Sequence, residues 1–264
     1  LGTYQGLQFP LANGIRRHLM RAVEAWSARC MDEAYVLTGD DLVVLKKAGP
    51  KAKVLRQEAF GFGCHDRFFD TPIPDPHERS RLRAELGLKD SDCVFIFIGR
   101  MVAHKGFHHA ARAFLKAEED YPDFKWVVVG EADPIHPTGL DAGEWLTYLQ
   151  HPSILRMGVQ DDVLPFLDLA DAVLFPTQRE GMPVSVMEAL ARRKPVLTNH
   201  VRGCRELIQP SVNGLFFSSM NTADMACVMH DFRPFLAPEP NPLTRRSVWV
   251  RHVLETYRGL LAVT

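Results

Sequence analysis

The chain has 264 residues, of which 46% are hydrophobic, and this is enough to bury one large core or two modest ones. Its 31 basic and 32 acidic side chains nearly cancel, which argues against an extended nucleic-acid surface or a strongly basic membrane-binding face but leaves a local basic patch open. A helix needs about 20 apolar residues to cross a bilayer, and no apolar run approaches that length. The start of the sequence resembles no signal peptide. These properties predict a cytoplasmic protein, with peripheral association at the inner face of a membrane as an open alternative.

The first part of the chain is predicted to hold two helices, at residues 14–30 and 40–48, and two short strands, at residues 33–37 and 53–56. These elements are too few for a complete domain. The first residue is Leu1 rather than methionine, so we expect the chain to be a piece of a longer protein. Residues 1–62 are interpreted as the remnant of an N-terminal domain.

The segment DTPIPDPH at residues 70–77 carries three prolines and predicts a hinge over residues 63–76. Beyond it, residues 77–240 alternate apolar strands with helices. The predicted strands are CVFIFI (93–98), WVVV (126–129), ILRM (154–157), AVLF (172–175), PVLT (195–198) and GLFF (214–217). Because these runs lack polar alternation, both faces should be covered by helices, which predicts a doubly wound, Rossmann-like α/β parallel sheet. A last helix is expected within residues 241–264.

Ligands of such sheets bind beyond the carboxyl ends of the strands. The loop GRMVAHKG at residues 99–106 occupies that edge, and its Arg100 and Lys105 precede a helix whose dipole disfavours cations. An anionic ligand such as a diphosphate would resolve this conflict, although both side chains could simply face solvent. Neither GxGxxG nor a P-loop occurs, which weakens a hydride-transfer or NTPase interpretation.

A second loop at this edge, REGMPVSVMEALARR, runs from residue 179 to residue 193. Pro183 fits the first position of a helix and Gly181 allows a ligand to approach closely, so the N–H groups of Met182, Val184 and Ser185 would face it. Glu188 lies about 7.5 Å further along the helix, where a ribose could reach it. Glu180, ahead of the helix, could accept hydrogen bonds from a sugar.

A helical wheel leaves a plainer alternative for Glu188. Val184, Val186, Met187, Leu190 and Ala191 form one apolar arc, and Ser185, Glu188 and Arg192 fall on the polar side. A glutamate at the solvated border of the helix would show the same spacing.

Three weaker features complete the candidate list. The loop around Val159 could line a base pocket, or it could be only a turn before a helix capped by Asp161 or Asp162. His104 and His108 have metal-ligand spacing but no third ligand nearby, which favours solvent-facing histidines. The five cysteines are scattered without a CxxC pair, which predicts reduced, mostly buried thiols and no structural zinc.

Taken together, these motifs resemble the GT-B, retaining nucleotide-sugar glycosyltransferases of family 4. The resemblance runs from about residue 30 to residue 217. It rests on GRMVAHKG, on REGMPVSVMEALARRKPVLT with Glu180 and Glu188 at its E-x7-E spacing, on RMGVQDDVLPFLDLADAVLFPTQ, on GCRELIQPSVNGLFF and on the hinge-like FGFGCHDRFF. Its GMP in place of the more usual GFG is most similar to enzymes that extend lipid-linked glycans from UDP-sugars.

The resemblance implies roles for the candidate residues. Arg100 and Lys105 would neutralise the leaving diphosphate, Glu180 would hold the donor sugar, and Glu188 would hold the ribose. The amides of Gly181 to Val184 would contact phosphate or sugar oxygens, with Gly99 and Val159 also lining the donor site, and no metal would be required. The acceptor-binding N-terminal domain would largely be missing, and the family often has a histidine where this chain has Gln5.

The sequence thus predicts the donor-binding half of a retaining glycosyltransferase. Its expected partners are a nucleotide-sugar and a glycan or lipid-linked acceptor of cell-surface polysaccharide synthesis. The alternative is a non-catalytic nucleotide-sugar-binding module that needs a partner chain to supply the acceptor site. A GT-B epimerase or phosphorylase is less favoured, because the additional active-site residues of those enzymes have no counterpart that could be placed.

Overall fold

Most apolar runs of the sequence form parallel strands in the computed structural model, which describes residues 2–4, 7, 13–31, 33–47, 53–56, 61–133, 135, 142–234 and 237–261. The strands are β1 (Gly2–Tyr4), β2 (Glu33–Val36), β3 (Lys53–Arg56), β4 (Cys93–Ile98), β5 (Phe124–Val129), β6 (Ile154–Gly158), β7 (Ala172–Phe175), β8 (Val196–Asn199) and β9 (Gly214–Phe217). The helices are α1 (Gly14–Arg29), α2 (Gly39–Lys47), α3 (Arg67–Asp70), α4 (Pro76–Glu85), α5 (Phe107–Glu118), α6 (Ala142–Leu149), α7 (Leu164–Leu169), α8 (Val184–Ala191), α9 (Arg202–Leu207), α10 (Thr222–Asp231) and α11 (Arg246–Leu261). Gln5 lies outside the described residues.

Internal contacts divide the chain into two compact units. The first contains Leu1–His65, Glu180–Val184 and Pro242–Thr264, and the second contains Asp66–Arg179 and Ser185–Asn241. The C-terminal helix α11 therefore belongs to the first unit. Over the described residues, no helix is both long and apolar enough to cross a membrane.

The first unit contains a three-stranded parallel sheet in the order β1-β2-β3. Strand β1 is too short and too polar to have been predicted. The small core of this unit comprises Leu7, Ala28, Ala34, Val36 and Leu45. Helix α11 is attached through the Cys64 backbone, which donates to Thr244 O at 2.8 Å and accepts from Arg246 N at 2.9 Å.

The second unit contains a six-stranded parallel sheet in the order β6-β5-β4-β7-β8-β9, which confirms the predicted doubly wound α/β fold. Its core is rich in aromatic residues, and the Trp126 ring stacks on Phe107 with the ring centroids 5.3 Å apart. Helices α5 and α10 cover this core with small and flexible side chains, including Ala110, Ala113 and Met229. The large aromatic rings and the small helix residues together fill the layer between helices and sheet.

Arg192, predicted on the polar side of its helix, is instead fully buried. Its guanidinium binds both carboxylate oxygens of Asp168, at 2.7 and 2.9 Å. The remaining N–H groups donate to the backbone carbonyls of Phe68, Thr71 and Pro72. All five donors of the guanidinium are satisfied, which explains why this charge can be buried.

Lys194 is a second buried cation, located just before β8. Its Nζ donates to the carbonyls of Asp168 at 2.9 Å and Ala170 at 3.0 Å. Burial, and then the charge of Arg79, lowers the pKa of Lys194 from 10.5 to about 8. The ammonium form is therefore less favourable in the folded state than in the unfolded state.

This shift predicts a pH-dependent stability. Between about pH 8 and pH 10 the unfolded chain keeps the Lys194 proton that the folded chain has lost, so the free energy of unfolding should rise with pH. Relative to Lys194→Met, we expect the wild type to gain about 2 kcal/mol over this range. Urea unfolding of both proteins at several pH values measures the difference in their free energies of unfolding. Groups that titrate in both proteins contribute equally and cancel in this difference. Parallel pH profiles would contradict the prediction.

All five cysteines are free thiols, but the prediction that they are mostly buried is only partly correct. Cys64 and Cys204 are buried and Cys93 is partly buried, whereas Cys30 and Cys227 are exposed. Burial and the nearby Asp171 carboxylate raise the pKa of Cys93 to about 12. Cys93 therefore stays protonated and unreactive at neutral pH.

Candidate functional site

The strand order of the second unit locates the point where a ligand crevice is expected. Strands β4, β5 and β6 extend the sheet in one direction, and β7, β8 and β9 extend it in the other. The connections therefore diverge between β4 and β7, and ligands of doubly wound sheets bind beyond the carboxyl ends at such a switch point. The residues that follow Ile98 and Phe175 form this edge.

The loop after β4 has a conformation that requires glycine at its end. A short 3-10 turn, Ala103–Lys105, leads into Gly106, which has φ +71° and precedes α5. A Cβ atom at Gly106 would lie 1.7 Å from the carbonyl oxygen of Pro176 in the loop after β7. Only glycine allows the two loops to approach this closely.

Hydrogen bonds hold these two loops together. The His104 carbonyl accepts from the Gln178 N–H at 2.9 Å and from the Thr177 hydroxyl at 3.3 Å. The Thr177 hydroxyl also lies 3.1 Å from the Arg179 carbonyl. The loop that carries Arg100 and Lys105 and the segment after β7 are therefore anchored to each other at the sheet edge.

Arg100 forms an ion pair at the protein surface, and Lys105 lies over an aromatic ring. The Arg100 guanidinium lies 2.9 Å from Asp133 Oδ2, and its side chain is 58% exposed. Lys105 Nζ lies 5.4 Å from the centroid of the Phe175 ring. An exposed ion pair of this kind contributes only about 0.2–1 kcal/mol to stability. A phosphate could therefore displace Asp133 from Arg100.

A cavity of 430 Å³ opens beside Arg100 at the ends of β4, β5 and β6. Its lining residues are Ile98, Gly99, Arg100, Val129, Gly130, Glu131, Ala132, Asp133, Val159, Gln160 and Val163. Gly130 has φ +126°, and a Cβ there would lie 2.1 Å from the Gly99 carbonyl oxygen, so the cavity floor is bare backbone. Apolar walls, exposed backbone and a few polar groups are typical of a small-molecule site.

Three of the predicted site residues, Gly99, Arg100 and Val159, line this one cavity. Val159 is 69% exposed, and Asp162 accepts from the N–H of Leu164, the first residue of α7, at 2.9 Å. The loop therefore provides an accessible apolar side chain. The N-cap residue of α7 is Val163, which makes no side-chain cap hydrogen bond, so the prediction of Asp161 or Asp162 as the N-cap is wrong, although Asp162 binds an N–H at the start of the helix. Lys105 is not among the lining residues and lies over Phe175 instead.

The two glutamates of the E-x7-E segment fall in different units. Glu180 belongs to the first unit together with Gly181, Met182, Pro183 and Val184, and Glu188 belongs to the second. Within the first unit, Met182 packs against Gly61, where an added Cβ would lie 2.8 Å from the Met182 Cγ.

Helix α8 begins at Val184, one residue later than predicted, so Pro183 precedes the helix rather than opening it. Glu188 is half-buried on this helix, next to the buried Met187 and Ala189. The assigned roles of both glutamates remain predictions.

Sequence analysis did not single out Glu131 and Asp133, although both line the cavity. They follow β5 directly, and this position at the carboxyl edge of a predicted strand is the signal that could have identified them. In the described parts of the chain, no group of three or more His, Cys, Asp or Glu side chains could hold a metal ion.

Comparisons with known proteins agree with this geometry. The family model Glycosyl transferases group 1 matches residues 78–232, more than half of the chain. EpsD of Bacillus subtilis (strain 168), which is named as a glycosyltransferase, is 25% identical over 86% of this chain and 58% of its own length. An N,N'-diacetylbacillosaminyl-diphospho-undecaprenol alpha-1,3-N-acetylgalactosaminyltransferase of Campylobacter jejuni is 29% identical over 52% of this chain and 34% of its own length.

Among solved structures, HepE of Anabaena in complex with UDP superposes with a TM-score of 0.71. It shares 17% identity, and the match covers 86% of this chain and 60% of HepE, which supports the fold. The chain spans little more than half the length of EpsD. With the family model covering the strands and loops of the switch point, the chain belongs to the glycosyl transferases group 1 family.

Proposed function

We propose that this chain is the donor-binding half of a retaining, family 4 glycosyltransferase that uses a UDP-sugar. The observation that supports it most is the cluster at the switch point, where Arg100, Gly99 and Val159 line one cavity next to the loop of Lys105. The ligand class is proposed from HepE, a structural neighbour that was solved in complex with UDP.

In this proposal the base enters the cavity between Val159 and the bare backbone of Gly99 and Gly130. The diphosphate lies beyond the ends of β4 and β7, where Arg100 leaves Asp133 and binds a phosphate oxygen. Lys105 neutralises the same group from the adjoining loop. Two cations and helix N-termini supply the positive charge that the leaving diphosphate needs, so no metal is invoked.

Glu180 is proposed to hold the donor sugar and Glu188 the ribose. The amides of Gly181 to Val184 would contact phosphate or sugar oxygens. As the bond from the anomeric carbon to the diphosphate breaks, the developing oxocarbenium charge would lie against the departing phosphates. The new bond to the acceptor oxygen would form on the same face of the sugar, which retains the configuration.

The acceptor is proposed to be a glycan or a lipid-linked glycan. The Campylobacter jejuni relative is named for a lipid-linked diphosphate acceptor, and this class of acceptor suits cell-surface polysaccharide synthesis at the inner face of a membrane. The resemblance implies that an N-terminal domain binds the acceptor, and this chain spans little more than half of EpsD. We therefore expect the 264-residue chain to bind a nucleotide but to transfer sugar poorly by itself.

Calorimetric titration with UDP, GDP, ADP and CMP, followed by the sugar conjugates of the best ligand, tests this function. UDP should bind most tightly, and UMP should bind far more weakly because it lacks the second phosphate. Equal affinity for UMP and UDP would contradict the diphosphate site. Rapid turnover of a UDP-sugar by the chain alone would contradict the need for a further acceptor-binding domain.

The ribose contact gives a separate prediction. If the Glu188 carboxylate accepts from ribose hydroxyls, Glu188→Gln should weaken UDP binding by about 1.5–3 kcal/mol. The loss should be much smaller for a deoxy-UDP that lacks the contacted hydroxyl. Glu85→Gln on the exposed surface of α4 is the matched control. If Glu188→Gln weakened the binding of UDP and of its 2′-deoxy and 3′-deoxy analogues equally, Glu188 would have only a structural role in α8.

The second candidate, a non-catalytic nucleotide-sugar-binding module, predicts the same nucleotide binding. It differs in what the complete protein does. A full-length protein that binds a UDP-sugar but yields no product with any lipid-linked or soluble glycan acceptor would favour this candidate.

A further inference from the structure

The second unit has another cavity, at the edge of its sheet opposite the candidate donor site. This cavity has a volume of 610 Å³, and its lining includes Asp90 shortly before β4, Asp171 before β7 and Lys194 before β8. It therefore opens at the amino ends of these strands, and we call it the amino-edge cavity. A volume of this size accommodates a small organic molecule rather than a single ion.

The wall of the amino-edge cavity contains more cations than unbalanced carboxylates. Arg192 binds both oxygens of Asp168, and Arg83 donates to Asp171 Oδ2 at 2.7 Å, so arginines outside the lining balance these two carboxylates. The other charged residues of the described lining are Arg79, Arg193, Lys194 and the exposed Asp90. The wall therefore has an excess of positive charge.

Two of these cations are held close together. Arg79 Nη2 and Lys194 Nζ donate to the same carbonyl oxygen, that of Ala170, at 3.3 and 3.0 Å. Like charges repel each other most strongly where water is partly excluded. After burial itself, the Arg79 charge is the largest cause that lowers the pKa of Lys194 to about 8. A bound anion would offset this repulsion.

Arg79 and Lys194 also keep unused hydrogen-bond donors. Over the described residues, the acceptors of Lys194 Nζ are the carbonyls of Asp168 and Ala170, so one N–H of the ammonium remains. Arg79 Nε is buried and has no acceptor in the described parts of the chain. A buried donor without an acceptor is costly, and an anion in the cavity would supply one.

Arg193 adds a third cation from the turn before β8. Its Nε donates to the Ala237 carbonyl at 2.9 Å, and its Nη1 lies 3.0 Å from Glu239. The Glu239 side chain is 82% exposed, so this ion pair is weak. A stronger anion in the cavity could replace Glu239.

Most of the remaining lining is apolar. Ile73, Pro74, Pro76 and Pro234 provide it, and Ile73 is 40% exposed. Proline rings have little conformational freedom, so a ligand that packs against them loses little free energy in ordering the wall. A cationic part and an apolar part in one cavity suit an organic molecule with an anionic group.

We propose that the amino-edge cavity binds a small organic phosphate, with the phosphate group held by Arg79, Arg193 and Lys194 and the organic part packed against Ile73 and the prolines. A phosphate monoester carries about two negative charges at neutral pH, which matches the excess of cations better than a single carboxylate does. Arginine and lysine are the usual side-chain donors to phosphate. This ligand is a second one, because the donor site lies at the other edge of the sheet.

Calorimetric titration with phenyl phosphate tests the site. The titrations use the Arg100→Ala, Lys105→Ala variant, so that the cations of the β4 loop cannot hold the phosphate. Phenyl phosphate should still bind at one site, inorganic sulfate should bind more weakly, and phenol should not bind measurably. Absence of saturable binding of phenyl phosphate would overturn the proposal. The test needs neither UDP nor transferase activity, so its outcome is independent of the proposed function.

Substitutions added to that variant locate the bound phosphate. Lys194→Met and Arg193→Gln should each weaken phenyl phosphate binding by roughly 10-fold or more, because each removes a charge-assisted contact. Arg193 is partly exposed, so Arg193→Gln should fold normally, which circular dichroism verifies. Arg81→Gln, on the exposed surface of α4, is the matched control and should leave the affinity unchanged. Unchanged affinity in both Lys194→Met and Arg193→Gln would overturn the proposal.

Proton uptake gives a second test of the contact with Lys194. The charged groups around its ammonium are Arg79 and Arg83 of α4, Asp168 of α7, Asp171 before β7 and the adjacent Arg193. At pH 8 about half of the Lys194 side chains are neutral, and a bound anion favours the charged form, so binding should take up about half a proton.

Sulfate is the probe for this measurement, because it does not titrate near pH 8 and any proton taken up must come to the protein. Calorimetry in two buffers with different enthalpies of ionisation measures the uptake. Lys194→Met should abolish it. Sulfate binding without proton uptake in the protein that retains Lys194 would overturn the proposal.

Discussion

Replacing Arg192 by methionine should lower the free energy of unfolding by about 3–5 kcal/mol, the usual cost of breaking a buried ion pair from one side. The Asp168 carboxylate would stay buried without the guanidinium that binds both of its oxygens at 2.7 and 2.9 Å. Three backbone carbonyls, of Phe68, Thr71 and Pro72, would lose a donor as well. Denaturant unfolding followed by circular dichroism measures the loss.

Two further variants identify the cause of this loss. Arg81→Ala removes an exposed arginine of α4 and should change the stability by less than about 0.5 kcal/mol. Arg192→Met combined with Asp168→Leu should recover part of the stability, because no uncompensated charge remains in the core. If the double variant lost more stability than the two single variants lost together, the uncompensated carboxylate could not be the main cause.

Removing both cations of the β4 loop should have the largest effect on ligand binding. Arg100→Ala and Lys105→Ala should each weaken UDP binding by about 1.5–3 kcal/mol, because each replaces a charge-assisted contact to phosphate. Both side chains are at least partly exposed, so the variants should fold normally. Calorimetric titration with UDP and with uridine separates the loss at the diphosphate from any loss at the base.

One control variant should strengthen UDP binding, and two others change cations away from the site. Asp133→Asn frees the Arg100 guanidinium from its ion-pair partner, so UDP should bind slightly more tightly, by up to about 1 kcal/mol. Arg81→Ala and Lys89→Ala, on the exposed surface of α4 and its following turn, should leave the affinity unchanged. Unchanged UDP affinity in both Arg100→Ala and Lys105→Ala would remove these residues from the site.

The larger sheet could be predicted from the sequence because its strands are continuous apolar runs. Such runs require cover on both faces, and the helices between them supply it, so the pattern allowed few other folds. The predicted bounds of β4, β7 and β9 match the structure, and β5 begins two residues earlier than predicted. Strand β1 was missed because three residues, GTY, carry no periodic signal.

Buried charges were harder to predict. The wheel placed Arg192 toward solvent because helix periodicity describes one element and not its neighbours. The partner Asp168 lies 24 residues earlier on α7, and only the folded chain shows that the two meet. Lys194 is buried for the same reason, since its acceptors are backbone carbonyls, which no side-chain pattern reveals.

The place of the candidate site in the fold could be inferred from the sequence, and the roles of its residues stay predictions. Glycine and cation spacing after β4 identified the loop of Arg100 and Lys105, because a strand end followed by a helix start has a defined place in this fold. The close approach of Gly106 to Pro176 and the pairing of Arg100 with Asp133 depend on contacts between loops far apart in sequence. Sequence spacing alone could not show either one.

The most direct measurement is a crystal structure of the chain with UDP bound. The base should occupy the cavity bordered by Gly99, Gly130 and Val159, with phosphate oxygens within hydrogen-bond distance of Arg100 and Lys105. UDP bound at the amino edge of the sheet, or at the carboxyl edge with both cations turned to solvent, would contradict the proposed site.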